Sequence, residues 1–99
     1  MATSKIPLIK TWYDLDSMDD IVALLTKIPT SAVVPIHCSN SLGSTLVNDN
    51  VQLQGQACNI NGSYIDMLLT GVSLAYIYIL RVNSSKQITV KRRGAMNTY

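Results

Sequence analysis

Fourteen consecutive residues, Met67 to Leu80, carry no charge, and Asp66 and Arg81 close the run at its two ends. No other feature of the chain limits its fold as much. A transmembrane helix needs about twenty predominantly apolar residues, and Thr70, Gly71 and Ser73 weaken a run that is already too short. A buried strand pair is the expectation. After Gly71, Val72 to Val82 reads as a strand. Val72, Leu74, Tyr76, Tyr78, Leu80 and Val82 fall on one face, and Ser73, Ala75, Ile77, Ile79 and Arg81 on the other, because successive side chains alternate. Between residues 74 and 80 both faces are apolar apart from the tyrosine hydroxyls. Such a strand needs cover on both sides.

The pattern elsewhere is α+β. Ser17 is a favourable N-cap, and Asp20, three residues on, can complete a capping box. Ile21, Leu24, Leu25 and Ile28 then repeat at i, i+3, i+4 and i+7, and Pro29 stops the helix. One helix over about 17–28 is predicted. Ala32 to Cys38 suits a strand, with Pro35 confining it to an edge or a bulge. Ser39 to Ser44 reads as a turn or loop. Val51 to Gln54 alternates with period two, and Asn61-Gly62 predicts a type I′ hairpin between about 51–60 and 63–70. Asn83 to Ser85 forms a further turn, and Gln87 to Lys91 returns as the last strand. The expected fold is therefore one N-terminal helix packed on a mainly antiparallel meander of four to six strands. Residues 1–16 are expected as an extended arm anchored by Trp12 and Tyr13, residues 17–93 as one domain, and residues 94–99 as a short tail.

Only 14% of the 99 residues are charged, against about 25% in an ordinary domain. The charges are also polarised. All six acids are Asp, and all precede residue 67. Arg81, Lys86, Lys91, Arg92 and Arg93 follow with no acid among them, so a chain of net charge +2 ends in a segment of five uncompensated cations. These five residues are the candidate anion-binding surface. Tyr76 and Tyr78, two residues apart on one strand face, are candidates for stacking nucleobases, or else pack within the sheet.

Catalytic and metal chemistry find little support. His37 and Cys38 are adjacent, so on a strand they point to opposite faces and cannot act as base and nucleophile. His37, Cys38 and Cys58 lack zinc-site spacing. Asp14, Asp16, Asp19 and Asp20 lack the glycine and terminal glutamate of a calcium loop, and no glycine-rich phosphate loop is present. No enzyme activity, cofactor or metal is expected. Two cysteines are too few for a disulfide framework. Met1 to Lys10 contains Lys5, Pro7 and Lys10 and no apolar h-region, so an intracellular, cytoplasmic or virion-associated protein is expected.

The functional expectation rests on surface. A doubly apolar strand in a charge-poor chain points to a homo-oligomer joined through Val72, Leu74, Ile77 and Ile79. The basic C-terminal segment would then bind RNA or an acidic membrane, a layout that suits a virus-type matrix or coat-associated protein. Two alternatives stand beside it. One is a small RNA-binding module using Tyr76, Tyr78 and the basic tail; the other is an adaptor or inhibitor that binds a host protein through a strand edge.

Overall fold

The computed structural model describes residues 10–28, 32–58, 60–71 and 76–94. In chain order these form β1 (Tyr13–Leu15), α1 (Met18–Lys27), β2 (Val34–Cys38), α2 (Asn40–Val47), β3 (Leu53–Cys58), β4 (Tyr64–Gly71), β5 (Tyr76–Asn83) and β6 (Ile88–Gly94). The strands make one sheet in the order β1-β2-β3-β4-β5-β6. β1 runs parallel to β2, and every later pair is antiparallel. The fold is α+β, with a β-meander from β2 to β6.

α1 begins as its sequence requires. The Ser17 hydroxyl accepts from the Asp20 N–H at 3.3 Å, and the Asp20 carboxylate accepts from the Ser17 N–H at 3.1 Å. Each bond satisfies an amide that the helix start would otherwise leave without a partner. Asp20 also accepts from the Asp16 N–H at 2.8 Å, which ties the end of β1 to the helix. Asp19, in the first turn, pairs with Lys86 from the turn between β5 and β6. Ile21, Leu24 and Leu25 point into the core. Pro29, the expected helix stop, lies outside the described residues.

A second helix stands where a loop was expected. Ser39 caps α2 by accepting from the Leu42 N–H at 3.2 Å, and Leu42 and Leu46, four residues apart, are buried. Gly43 masks the helix in the sequence, since glycine costs about 1 kcal/mol in a helix interior. Its reason is tertiary: a Cβ there would strike the backbone carbonyl of Val51. The close approach of the helix to the segment that leads into β3 outweighs the propensity.

Three further expectations change in detail. Pro35 sits in an interior strand, but β1 pairs only with residues 36–38 of β2. Among the described residues Pro35 therefore has no ladder partner on the β1 side, where a missing N–H is tolerated. The β3–β4 hairpin is present, yet no described glycine has positive φ, so Asn61-Gly62 is not a type I′ turn. The Asn61 side chain accepts instead from the Ser63 and Tyr64 N–H groups, at 2.8 and 3.1 Å, an Asx turn within a longer loop. Finally, the last strand runs beyond Lys91: Lys91, Arg92 and Arg93 are all strand residues of β6, paired with Ile79, Tyr78 and Ile77 of β5.

Both helices contribute to one core. Against them the sheet buries Val34, Ile36, Cys38, Leu53, Ala57, Ile65, Met67, Leu69, Tyr78, Leu80 and Val82. Each large aliphatic side chain so covered stabilises the fold by about 1.5–3 kcal/mol before conformational entropy is set against it. No polar or charged residue is buried among the described residues. None of the described helices is long and apolar enough to cross a membrane. The uncharged run folds back on itself: residues 67–71 belong to β4 and residues 76–80 to the antiparallel β5.

Candidate functional site

Strand alternation that buries one face of the sheet leaves the other uncovered. Register places Pro35, Gln56, Leu68, Ile79 and Lys91 in one row across five strands. A second row runs Asp14, His37, Gln54, Thr70, Ile77 and Arg93. A third holds Cys58, Asp66, Arg81 and Thr89. These rows alternate with the core residues and form the face opposite the helices. Leu68 and Ile79, directly opposite each other, are 43% and 42% exposed. The face thus has an apolar centre, uncharged amides and hydroxyls around it, and cations on the edge strand.

Two aromatic stacks stand on this face. At the β1 side the Trp12 and His37 rings lie 4.1 Å apart and nearly parallel, at 11°. His37 Nδ1 is 3.3 Å from an Asp14 carboxylate oxygen. Towards the other side, the Arg81 guanidinium lies over the Tyr64 ring at 3.8 Å. The Asp66 carboxylate holds it, accepting at 2.7 Å from Nε and 3.1 Å from Nη2. This bidentate bond keeps the Arg81 proton affinity above its ordinary level and fixes the guanidinium plane.

The face has two shallow depressions. One, about 550 Å³, lies against Trp12, Pro35, Gln54, Gln56 and Leu68, with Lys10 at its rim. The other, about 590 Å³, is bordered by Leu68, Ile79, Arg81, Lys91 and Arg93. Leu68 lines both.

The five expected anion-binding residues are separated by the fold. Arg81 is held by Asp66, and Lys86 pairs with Asp19. Lys91 and Arg93 lie on the uncovered face, where no described carboxylate pairs with them. Arg92 points to the other face and lies over the Tyr76 ring at 4.4 Å. The tyrosine pair is split: Tyr78 is 5% exposed among the core side chains, whereas Tyr76, on the same face, is 41% exposed. Of the expected self-association residues, Ile77 and Ile79 stand on the uncovered face, while Val72 and Leu74 lie outside the described residues.

The cysteines occupy opposite faces of the sheet and are free thiols. Burial pushes the Cys38 thiol up to about 12. Partial burial, and then the Asp66 charge, raise that of Cys58. Neither is poised as a thiolate. His37 has its carboxylate partner in Asp14, but Cys38 points away from it, and the Ser39 hydroxyl donates to Asp16 at 2.6 Å.

Trp12, Gln54, Gln56 and Leu68 were not singled out as site residues by sequence. The period-two glutamines signal an exposed strand face, but not which residues of other strands share it. No protein-family model, curated protein or solved structure matches this chain.

Proposed function

We propose that this chain is a non-enzymatic binding protein whose working surface is the uncovered sheet face, and that it takes an anionic partner there through Lys91 and Arg93. One observation carries the reading. The described helices pack on one side of a six-stranded sheet, and the other side ends in two cations with no acidic neighbour on their strand. Arg92, on the opposite face of the same edge strand, adds charge to that edge from behind. Cations in this position attract a polyanion and release its counterions, so affinity falls steeply with salt.

The test is a salt titration of binding to single-stranded RNA, polyphosphate and vesicles containing acidic lipid. Replacing Lys91 and Arg93 by Ala removes two phosphate contacts. The log–log salt slope for a single strand should then fall by about 1.4, with the circular dichroism spectrum unchanged. An unaltered slope in a folded variant would rule out this surface.

A second reading follows from Leu68 and Ile79. Two adjacent aliphatic side chains exposed on a sheet face also suit a second copy of the chain packed face to face. Light scattering should then report at least a dimer, and Ile79→Asp should dissociate it. A 10.9 kDa monomer at every concentration would eliminate that reading.

A further inference from the structure

We propose that the depression beside Trp12 is a nucleobase-binding subsite, and hence that the anionic partner is single-stranded nucleic acid. This rests on the reading of the uncovered face given above and names its ligand.

The argument starts from the indole. Trp12 is 49% exposed, yet it is not a loose surface ring. His37 backs one side of it in a nearly parallel stack, and β2 holds His37 in register opposite Asp14. The wall is therefore flat, and its ring is available to the depression it lines. Pro35 and Leu68 supply apolar contact below. Gln54 and Gln56 come from alternate positions of β3, and neither side-chain amide has a hydrogen-bond partner among the described residues. Each amide presents both donors and an acceptor. Lys10 stands at the mouth, unpaired with any described carboxylate.

A ligand for this set needs a planar apolar body, a hydrogen-bonding edge and a negative charge outside the pocket. A nucleotide whose base is splayed out meets all three requirements. Base faces stack on tryptophan without regard to sequence, and amides read the exposed edge. A duplex hides its base faces. A bilayer surface would meet the protruding cations but has no flat group to place against a ring inside a depression.

The rest of the face continues the pattern. Arg81, clamped by Asp66 and backed by Tyr64, presents the second guanidinium face as another stacking surface. It stands three strand spacings from β2, about 14 Å across the sheet. Lys91 and Arg93, on the edge strand beyond it, line the second depression together with Arg81. A short single strand can therefore engage Trp12, cross Leu68 and Ile79, and reach the basic edge.

Trp12 is the chain's one tryptophan, so tryptophan emission, excited selectively over the tyrosines, reports on this groove. Short oligoadenylate and oligouridylate would be titrated against the full chain, beside polyphosphate of equal charge, duplex RNA and vesicles containing acidic lipid. The expected result is quenching of Trp12 emission by the single strands, which bind at least tenfold more tightly than polyphosphate. Trp12→Ala should weaken labelled-strand binding about tenfold or more and leave polyphosphate binding unchanged, whereas Trp12→Phe should retain most of the affinity. Gln54→Ala should alter the preference between the two homopolymers without unfolding the chain, which keeps the test decisive should Trp12→Ala fold poorly. Polyphosphate or vesicles binding as tightly as RNA, with Trp12 emission unchanged, would overturn the nucleobase site while leaving the anionic-partner reading standing. If none of the probes binds, both fall.

Discussion

Gly55→Ala is expected to be among the most damaging single-methyl additions to this fold. Gly55 lies in the middle of β3, opposite Leu69, between the two glutamines of the Trp12 groove. A Cβ built there falls closer than 3.0 Å to the backbone carbonyl oxygen of Leu68, a separation real Cβ atoms essentially never show. The obstacle is backbone in the centre of a sheet, so no side chain can swing aside. Relief requires β3 and β4 to part where they are hydrogen-bonded. Against the clash stand about 0.8 kcal/mol from burying a methyl group and about 0.4–1 kcal/mol from restricting the unfolded chain. Overpacking into a rigid site costs about 1–3 kcal/mol, occasionally more, and a backbone obstacle belongs at the upper end. Net destabilisation of about 1.5 kcal/mol follows, which lowers Tm by about 6–12 °C in a domain of this size. Urea and thermal unfolding would be measured beside Gly62→Ala, where no atom lies within 4 Å and φ is not positive. That control should be neutral, or more stable by up to about 1 kcal/mol. If the two variants unfold within about 0.5 kcal/mol of each other, the close approach of β3 to β4 is not as described.

Ser17→Ala removes the hydroxyl half of the capping box and should cost about 1 kcal/mol, read as a Tm lowered by about 4–8 °C. Met67 and Leu68 are neighbours on opposite faces, 1% and 43% exposed. Met67→Ala should therefore cost about 2–5 kcal/mol in urea unfolding, and Leu68→Ala about 1 kcal/mol or less; equal costs would contradict the assignment of the faces. Cys38 has its thiol raised by burial from an ordinary 9.0 to about 12. Below pH 9 both states hold the proton, whereas between pH 9 and 12 the unfolded chain releases it and the folded chain does not. Stability should fall across that window by up to about 1.4 kcal/mol per pH unit. Cys38→Ala should remove that part of the alkaline slope in urea midpoints measured from pH 8 to 11, and parallel slopes in the two proteins would count against a buried thiol.

Local chemistry was enough to read α1, because its cap, its stripe and its acidic first turn lie within twelve residues, and each acts over a single turn. The same holds for strand alternation. Residues 76, 78 and 80 share a face, and residues 77, 79 and 81 share the other, from the period of two alone. Alternation, however, says only which residues point together. It does not say which set the helices will cover. That choice depends on contacts between residues far apart in the chain, and it sent Tyr78 into the core while leaving Ile79 and Arg81 outside. α2 was hidden for a related reason: Gly43 opposes a helix by propensity and is required by the nearby Val51 carbonyl, a contact invisible to a local reading. The sequence ended the last strand at Lys91, and only pairing with β5 extends it through Arg92 and Arg93. The Trp12 groove is the clearest case. Residues 12, 35, 56 and 68 meet there only because β2, β3 and β4 lie side by side in one register, and a one-residue slip in any of them would turn its contribution to the opposite face.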